Sequence, residues 1–447
     1  MKYDCDEKII KTALDKIHTP KYDINFGIEK KIKKKSSRIY LSKPRLVILS
    51  ISLFIILSAG VAAATMDSFN NLISLVSPEI ALLLQPIGAI SEDNGIKVEV
   101  VGAIHDDEMA AVYFTMQDLV GNRIDETIEI YNYSLSGARM FNIQVVNYDE
   151  TTKTATLRME ANGGKKLNGK KVSFSISSFL SDKIIFDGVD TGVNLLDVQE
   201  TNASQRVSLD MNHISGGGGE LYGEFEEKGV IDLLKTDEMN MSLPNIDFMH
   251  ISNMGYIDEY LHIQTKWTGN GIDDHGFLYF VDSLGNKIDN KSANIYFGTD
   301  ELGNTEYGND YVEYIFDMKN INMDEIKLKG DFFSNGNYIE GNWKAAFKLQ
   351  SVEEKQTDCS IKSDTWEINS VSVSPMGVTL VGKGKIEDLQ GRNPSITMTD
   401  GSGKTFYESR SYMENDEFRL KFLFHTPLDI SKVESVTIDG QVIDLRK

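Results

Sequence analysis

The stretch FLYFVDSLGNKID, Phe277 to Asp289, decides the fold class. Its first half is a run of aromatic and aliphatic residues of strand type, and its second half, DSLGNKID, brackets a glycine with two carboxylates and an amide. Such a loop is either a cation site or a bend. Two parallels answer the question: DLVGNRID at Asp118 to Asp125 and DGSGKTF at Asp400 to Phe406 follow the strand-like runs VYFTM and SITMT. A calcium loop needs six to eight oxygens, and here Leu, Val and Ser stand between the carboxylates. Asp at the first position of a turn accepts from the backbone two residues on, and the fourth-position glycine is expected to supply the positive φ that closes a hairpin.

Outward from these turns the apolar residues alternate. IKVEVVGAI (Ile96 to Ile104), AAVYFTM (Ala110 to Met116), TATLRME (Thr154 to Glu160), KVSFSIS (Lys171 to Ser177), LHIQTKW (Leu261 to Trp267) and FRLKFLF (Phe418 to Phe424) read as short strands between Gly, Asn and Asp. The expected fold is mainly β, an extracytoplasmic stack of two or three immunoglobulin-like β-sandwiches. The order of parts in HISNMGYIDEYLHIQTKW (His250 to Trp267), with the D-x-x-G turn after it, returns in EINSVSVSPMGVTLVGKG (Glu367 to Gly384) and the turn at Asp400. That indicates two similar modules and a more distant third from Gly95 to about Asp197.

The N-terminal part differs. Leu46 to Met66 is 21 residues without a charge, roughly 31 Å as a helix, the thickness of a bilayer's hydrocarbon core. Residues 1–45 carry 13 Lys and Arg against 6 Asp and Glu, a balance of +7, so in a chain of net charge −21 the rest carries −28. The cationic flank predicts one transmembrane helix with its N-terminus in the cytoplasm and 381 residues outside. A cleaved signal and a buried core helix are the other readings; the long leader and the missing polar face speak for an uncleaved anchor. Cys5 and Cys359 then lie on opposite sides of the membrane, so they form no disulfide with each other. The acidic balance argues against direct nucleic-acid binding.

The expected domains are a cytoplasmic tail at 1–45, the span at 46–66, a membrane-proximal helical segment at 67–90, and β domains at 91–200, 201–355 and 356–447. Ser77, Pro78 and Glu79 are an N-cap, a first-turn proline and a first-turn acid, with Pro86 as the expected stop. The polar segment Ser351 to Thr365 is expected as the last boundary.

No motif for catalysis stands out. G-x-S-x-G and H-E-x-x-H are absent, and Met398 occupies the place of the first glycine a phosphate loop would need before Gly403 and Lys404. Gly216 to Gly219 is expected as a flexible loop. His105 to Glu108 (HDDE) and Asp273 to Gly276 (DDHG) each offer three metal ligands but sit in acidic loops; no cofactor or metal is assigned. The tail is more informative. Ile9, Ile10, Ala13, Leu14 and Ile17 line one face of a helix from about Asp6 to Ile17, and an isolated helix of that length needs a partner. That partner is a protein groove, or the lysine cluster simply holds the tail to anionic headgroups of the lipid bilayer.

The segment IGAISEDNGIKVEVVGAIHDDEMAAVYFTMQDL (Ile87 to Leu119), after one span and an inward tail, resembles the DUF4179 family of Gram-positive bacterial membrane proteins. INSVSVSPMGVTL (Ile368 to Leu380), ITMTDGSGKTF (Ile396 to Phe406) and KVESVTIDG (Lys432 to Gly440) resemble the DUF5643 domain often found C-terminal to it. The resemblance implies an anti-sigma factor rather than an enzyme: the tail holds an extracytoplasmic-function (ECF) sigma factor, through Ile9, Ile10, Leu14 and Ile17 in our reading, while the outer domains answer an envelope ligand or protease. No catalytic residues come with the resemblance. The tail lacks the His-x3-Cys-x2-Cys zinc motif of other anti-sigma proteins. The alternative is a surface-anchored binding or adhesion protein whose sandwiches grip cell-wall or protein ligands.

Overall fold

The computed structural model describes residues 59–446, apart from 107, 163–168, 199–204, 270–272, 320 and 390–393; side chains before 66 and that of Tyr407 also lie outside it. The tail residues Ile9, Ile10, Leu14 and Ile17 and most of the uncharged segment fall outside the described residues. The described chain is mainly β, in several sheets.

Helix α1 (Ala59–Leu75) comes first, and runs through Met66 without a break. Among the described residues no helix is long and apolar enough to cross a membrane. Helix α2 (Pro78–Ala81) starts as expected, with the Ser77 hydroxyl accepting from the Ile80 N–H. It ends well before Pro86. That proline lies instead in the edge strand β1 (Gln85–Asp93), opposite Gly102, and the register slips just after it. An edge strand tolerates a residue that has no N–H to donate.

The first module continues with β2 (Ile96–His105), β3 (Met109–Asp118), β4 (Glu129–Leu135), β5 (Met140–Asp149), β6 (Thr154–Asn162) and β7 (Lys171–Asp190). Then come β8 (Arg206–Asp210), β9 (Gly216–Gly218), helix α3 (Tyr222–Lys228) and β10 (Val230–Leu234). The second module comprises β11 (Met241–Leu243), β12 (Ile246–Ile257), β13 (Tyr260–Trp267), β14 (His275–Asp282), β15 (Ser292–Thr299), β16 (Thr305–Asp317) and β17 (Ile326–Lys348). The third comprises β18 (Lys355–Lys362), β19 (Trp366–Ser374), β20 (Gly377–Gly384), β21 (Ser395–Met398), β22 (Phe406–Glu414), β23 (Glu417–Phe424) and β24 (Val433–Ile438), with β25 (Gln441–Asp444) added to β24.

One strand order recurs in all three modules. The first sheet runs β1-β2-β3-β6-β5, then β11-β12-β13-β16-β15, then β18-β19-β20-β23-β22. The fourth strand of each module leaves for a second sheet and pairs there with the seventh: β4 with β7, β14 with β17, β21 with β24. Each module closes its two sheets around apolar side chains. Phe114 on β3 meets Phe174 on β7 with ring centroids 4.9 Å apart, Phe280 on β14 meets Phe316 on β16 at 4.9 Å, and in the third module Ile368, Leu380 and Phe422 share one core with Ile396 and Val436.

The chain forms two compact units that do not follow chain order. One consists of the residues up to Phe179 together with those from Glu340 on, and the other is Leu180–Ile339. Strands β7 and β17 carry residues of both.

The turns conform in part. Asp282 accepts from the N–H groups of Leu284 and Asn286, and Gly285 has φ +87°. A further copy, Asp300 to Asn304, repeats the geometry, with Gly303 at φ +81°. The other two correct the expectation: at Asp400 the positive φ falls on Gly401, and the Asp118 loop closes without a positive-φ glycine. There Arg123 clamps the carboxylate with two side-chain N–H groups at 2.8 and 2.9 Å and a backbone N–H at 2.8 Å.

One further expectation is corrected. The glycine run is not a flexible loop: Gly216–Gly218 is strand β9, antiparallel to β15. A Cβ on Gly217 would stand 2.4 Å from the Tyr222 ring, so the ring lies where only glycine leaves room. The polar segment 351–365 contains β18, whose Ile361 enters the core while its polar residues face out.

Candidate functional site

Strands β2 and β3 are buried on both faces, which a half-covered sheet does not produce. Val98, Val112 and Phe114 belong to the module's buried interior. The other face carries Val101, Ile104, Ala111 and Tyr113, and Phe69 and Leu72 of α1 close over it with Leu84. Gly102 lets them approach, since a Cβ there would meet Leu72 and Phe69 at 3.2 Å. Ile80 and Leu83 rest on the same cluster, as do Val352 and Met376 from the segments leading into and within the third module.

Beside that cluster runs a seam of charge between the first and third modules. Asp106, at the end of β2, is fully buried. Its Oδ1 accepts from the N–H groups of Glu108 and Met109 at 3.0 and 2.8 Å. Its Oδ2 lies 2.6 Å from the Lys421 ammonium and accepts from the Ser374 hydroxyl at 2.5 Å. Lys421 also donates to Thr379 Oγ1 at 3.3 Å. Glu108 pairs with Arg419, and Glu160 with Arg410 at 2.7 Å. At the exposed end Arg139 stacks over the Tyr412 ring at 5.0 Å and reaches Glu414 at 3.4 Å. The His105 ring meets the Ser351 hydroxyl at 3.1 Å, and the His105 carbonyl accepts from the Val352 N–H at 2.7 Å.

The electrostatics of the two acids Asp106 and Glu108 diverge. Burial pushes the Asp106 carboxyl up, but the Lys421 charge and the hydrogen bonds from Lys421, Ser374 and the backbone outweigh it and hold it below the ordinary carboxylate value. For Glu108 burial wins over the attraction of Arg419 and Lys421, and its carboxyl is raised. Chemically the seam is a latch: removing either charge leaves the other buried without its counter-ion.

The HDDE residues other than Asp107, which lies outside the described residues, thus serve this latch. In DDHG, the His275 ring stacks on Phe333 at 4.9 Å, and Asp274 accepts from Ser334 at 2.8 Å. Among the described residues no three His, Cys, Asp or Glu side chains are placed to hold a metal ion. Nothing in FRLKFLF marks Arg419 and Lys421 as seam residues; in the structure Leu423, on the same face of the strand as those cations, is buried, so that face is covered rather than solvated.

The second unit has its own buried polar network. Glu313 accepts from His262 at 2.9 Å, from Gln264 at 2.9 Å and from the Leu234 N–H at 3.0 Å, while Gln264 returns a bond to the Leu234 carbonyl at 2.8 Å. It ties the end of β10 to β13 and β16.

No family model matches the chain, and no curated protein matches it. A solved structure described as the crystal structure of the conserved domain protein from Bacillus anthracis aligns with 81% of this chain and 91% of its own at 10% identity. Its TM-score is 0.18, a likeness too slight to carry an argument.

Proposed function

We propose that the chain is a single-pass membrane regulator of the anti-sigma type, with its leader inside the cell and its β body outside. In this reading the three modules are immunoglobulin-like β-sandwiches, and the resemblance to DUF4179 and DUF5643 supports it. The observation that carries the reading is α1. It emerges from the uncharged segment at Ala59 and continues to Leu75, setting Phe69 and Leu72 into the cluster on β2 and β3. A helix docked in this way passes a displacement of the body to the segment before it. Inside, the apolar face of Ile9, Ile10, Leu14 and Ile17 packs on a groove of an ECF sigma factor and keeps it from polymerase until an outer ligand or protease loosens or cuts the link.

The test is a pull-down with residues 1–45 as bait. The native tail is expected to recover a sigma factor, and an Ile10→Asp, Leu14→Asp tail is not; equal recovery by both, or none, contradicts the reading.

The threefold module favours a second reading, a surface-anchored binding protein, because repetition multiplies binding faces. Deleting residues 1–30 separates the two. The regulatory phenotype is lost if the tail acts, and kept if the modules alone do.

A further inference from the structure

The shared strand order lets one edge be compared three times within the chain. That edge is the outer side of the fifth strand: β5, β15 and β22. In the second module β9 covers it, with Gly218 opposite Asn294 and Gly216 opposite Tyr296. The covered strand, SANIYFGT, has no charge. In the third module the strand is FYESRSYME, and Glu408, Arg410 and Glu414 supply the charges that discourage a further strand.

Strand β5 has neither protection. MFNIQVVNYD is uncharged from Met140 to Tyr148 and lacks proline, and among the described residues no strand pairs with its outer edge. Val145 and Val146 are exposed on it. Alongside opens a crevice of about 220 Å³ of mixed lining, where Glu129 and Asn142 stand among Ile128, Tyr133, Ile143 and Val145. A bare ten-residue edge beside a crevice is a surface onto which another strand adds.

We propose that the added strand is β5 of a second copy of this chain, paired antiparallel about a two-fold axis normal to the sheet. Self-pairing sets a strand against its own sequence, so any internal charge would meet its like; β5 has none. Its flanks have opposite sign. Arg139 precedes it, and Asp149 and Glu150 close it, so antiparallel pairing brings Arg139 of each copy to the acidic end of the other. The register that opposes Arg139 and Asp149 puts Gln144 on the axis. The bulge between Val145 and Asn147 shifts this by one residue at most, and then opposes Arg139 and Glu150, the same charge pairing. The axis also keeps Phe141, Ile143 and Val145 of both copies on the crevice side, so the two crevices join. Arg139 remains available, because its pair with Glu414 is exposed and long at 3.4 Å.

The test uses the full chain in detergent, with Cys5→Ser and Cys359→Ser removing the native thiols. Under mild oxidation Gln144→Cys is expected to link two copies through a disulfide, since residues facing each other across antiparallel strands lie about 4.5–5.5 Å apart at Cα. Met140→Cys, which this register sets opposite Tyr148, is expected to link at least about tenfold less. Val145→Lys on the edge is expected to cut the Gln144→Cys link by a similar factor with the unfolding midpoint unchanged. Arg139→Asp, which sets acid against acid at both ends, weakens it too. No link at Gln144→Cys, equal linking at both positions, or a link indifferent to both edge variants would overturn the proposal. So would a monomeric chain that instead takes up a synthetic MFNIQVVNYD peptide.

Discussion

Lys421 and Asp106, 315 residues apart in sequence, meet at 2.6 Å with both side chains buried, and this ion pair latches the third module to the first. Its value lies in the cost of breaking it on one side. Lys421→Met leaves a buried carboxylate without its cation and is expected to destabilise the chain by about 3–5 kcal/mol. Adding Asp106→Asn, which keeps an acceptor for the Glu108 and Met109 N–H groups, should recover most of that loss. Urea unfolding of the single and double variants measures both.

The two seam acids give opposite pH dependences. Asp106 has a folded value below its unfolded one, so its stabilising contribution is present above the unfolded value and is lost as pH falls through the folded value. Glu108 has a raised folded value. The folded state therefore takes up its proton first, and this group's contribution turns more favourable as pH falls from neutral to its ordinary range. Measured between neutral pH and about 4.5, the stability of wild type relative to Glu108→Gln should rise as pH drops. A flat difference contradicts the assignment.

The turn glycines separate by conformation. Gly285→Ala and Gly303→Ala place a side chain at φ +87° and +81°, with an expected cost of about 1–2 kcal/mol each. Gly121→Ala meets no such strain, since Gly121 lacks a positive φ, and its Cβ would lie 3.1 Å from an Asp118 carboxylate oxygen. Its expected cost is below about 1 kcal/mol. Thermal unfolding ranks the three.

The docking of α1 rests on few side chains. Phe69→Ala is expected to cost about 3–5 kcal/mol, because Phe69 is 1% exposed within the cluster on β2 and β3. Met66→Ala on the same helix, at 44% exposure, should cost less than about 0.5 kcal/mol. Hydrogen exchange along 66–75 should rise in the first variant alone.

Strand identity was legible because alternation survives in the sequence wherever one sheet face is polar. FLYFV, LHIQTKW and FRLKFLF all lie on strands, and the Ser77 cap and the repeated turns appear where their chemistry places them. The latch was not legible. Asp106 reads as one acid in an acidic loop and Lys421 as a surface cation, and only the long-range packing of one module on another desolvates them. The compact units were hidden for a related reason, because module boundaries follow the chain whereas Glu340–Lys447 returns to pack with the first module. Glycine strand β9 gave no periodic signal, since glycine has no side chain to alternate.

The membrane topology is what the functional reading depends on, and thiol accessibility tests it directly. In a Cys359→Ser chain, Leu284→Cys places a thiol on a turn residue that is 85% exposed, while Cys5 remains in the leader. With a membrane-impermeant maleimide on intact cells, the account predicts labelling at position 284 and none at Cys5 until the cells are lysed. Labelling of Cys5 in intact cells, or protection of position 284, would contradict it.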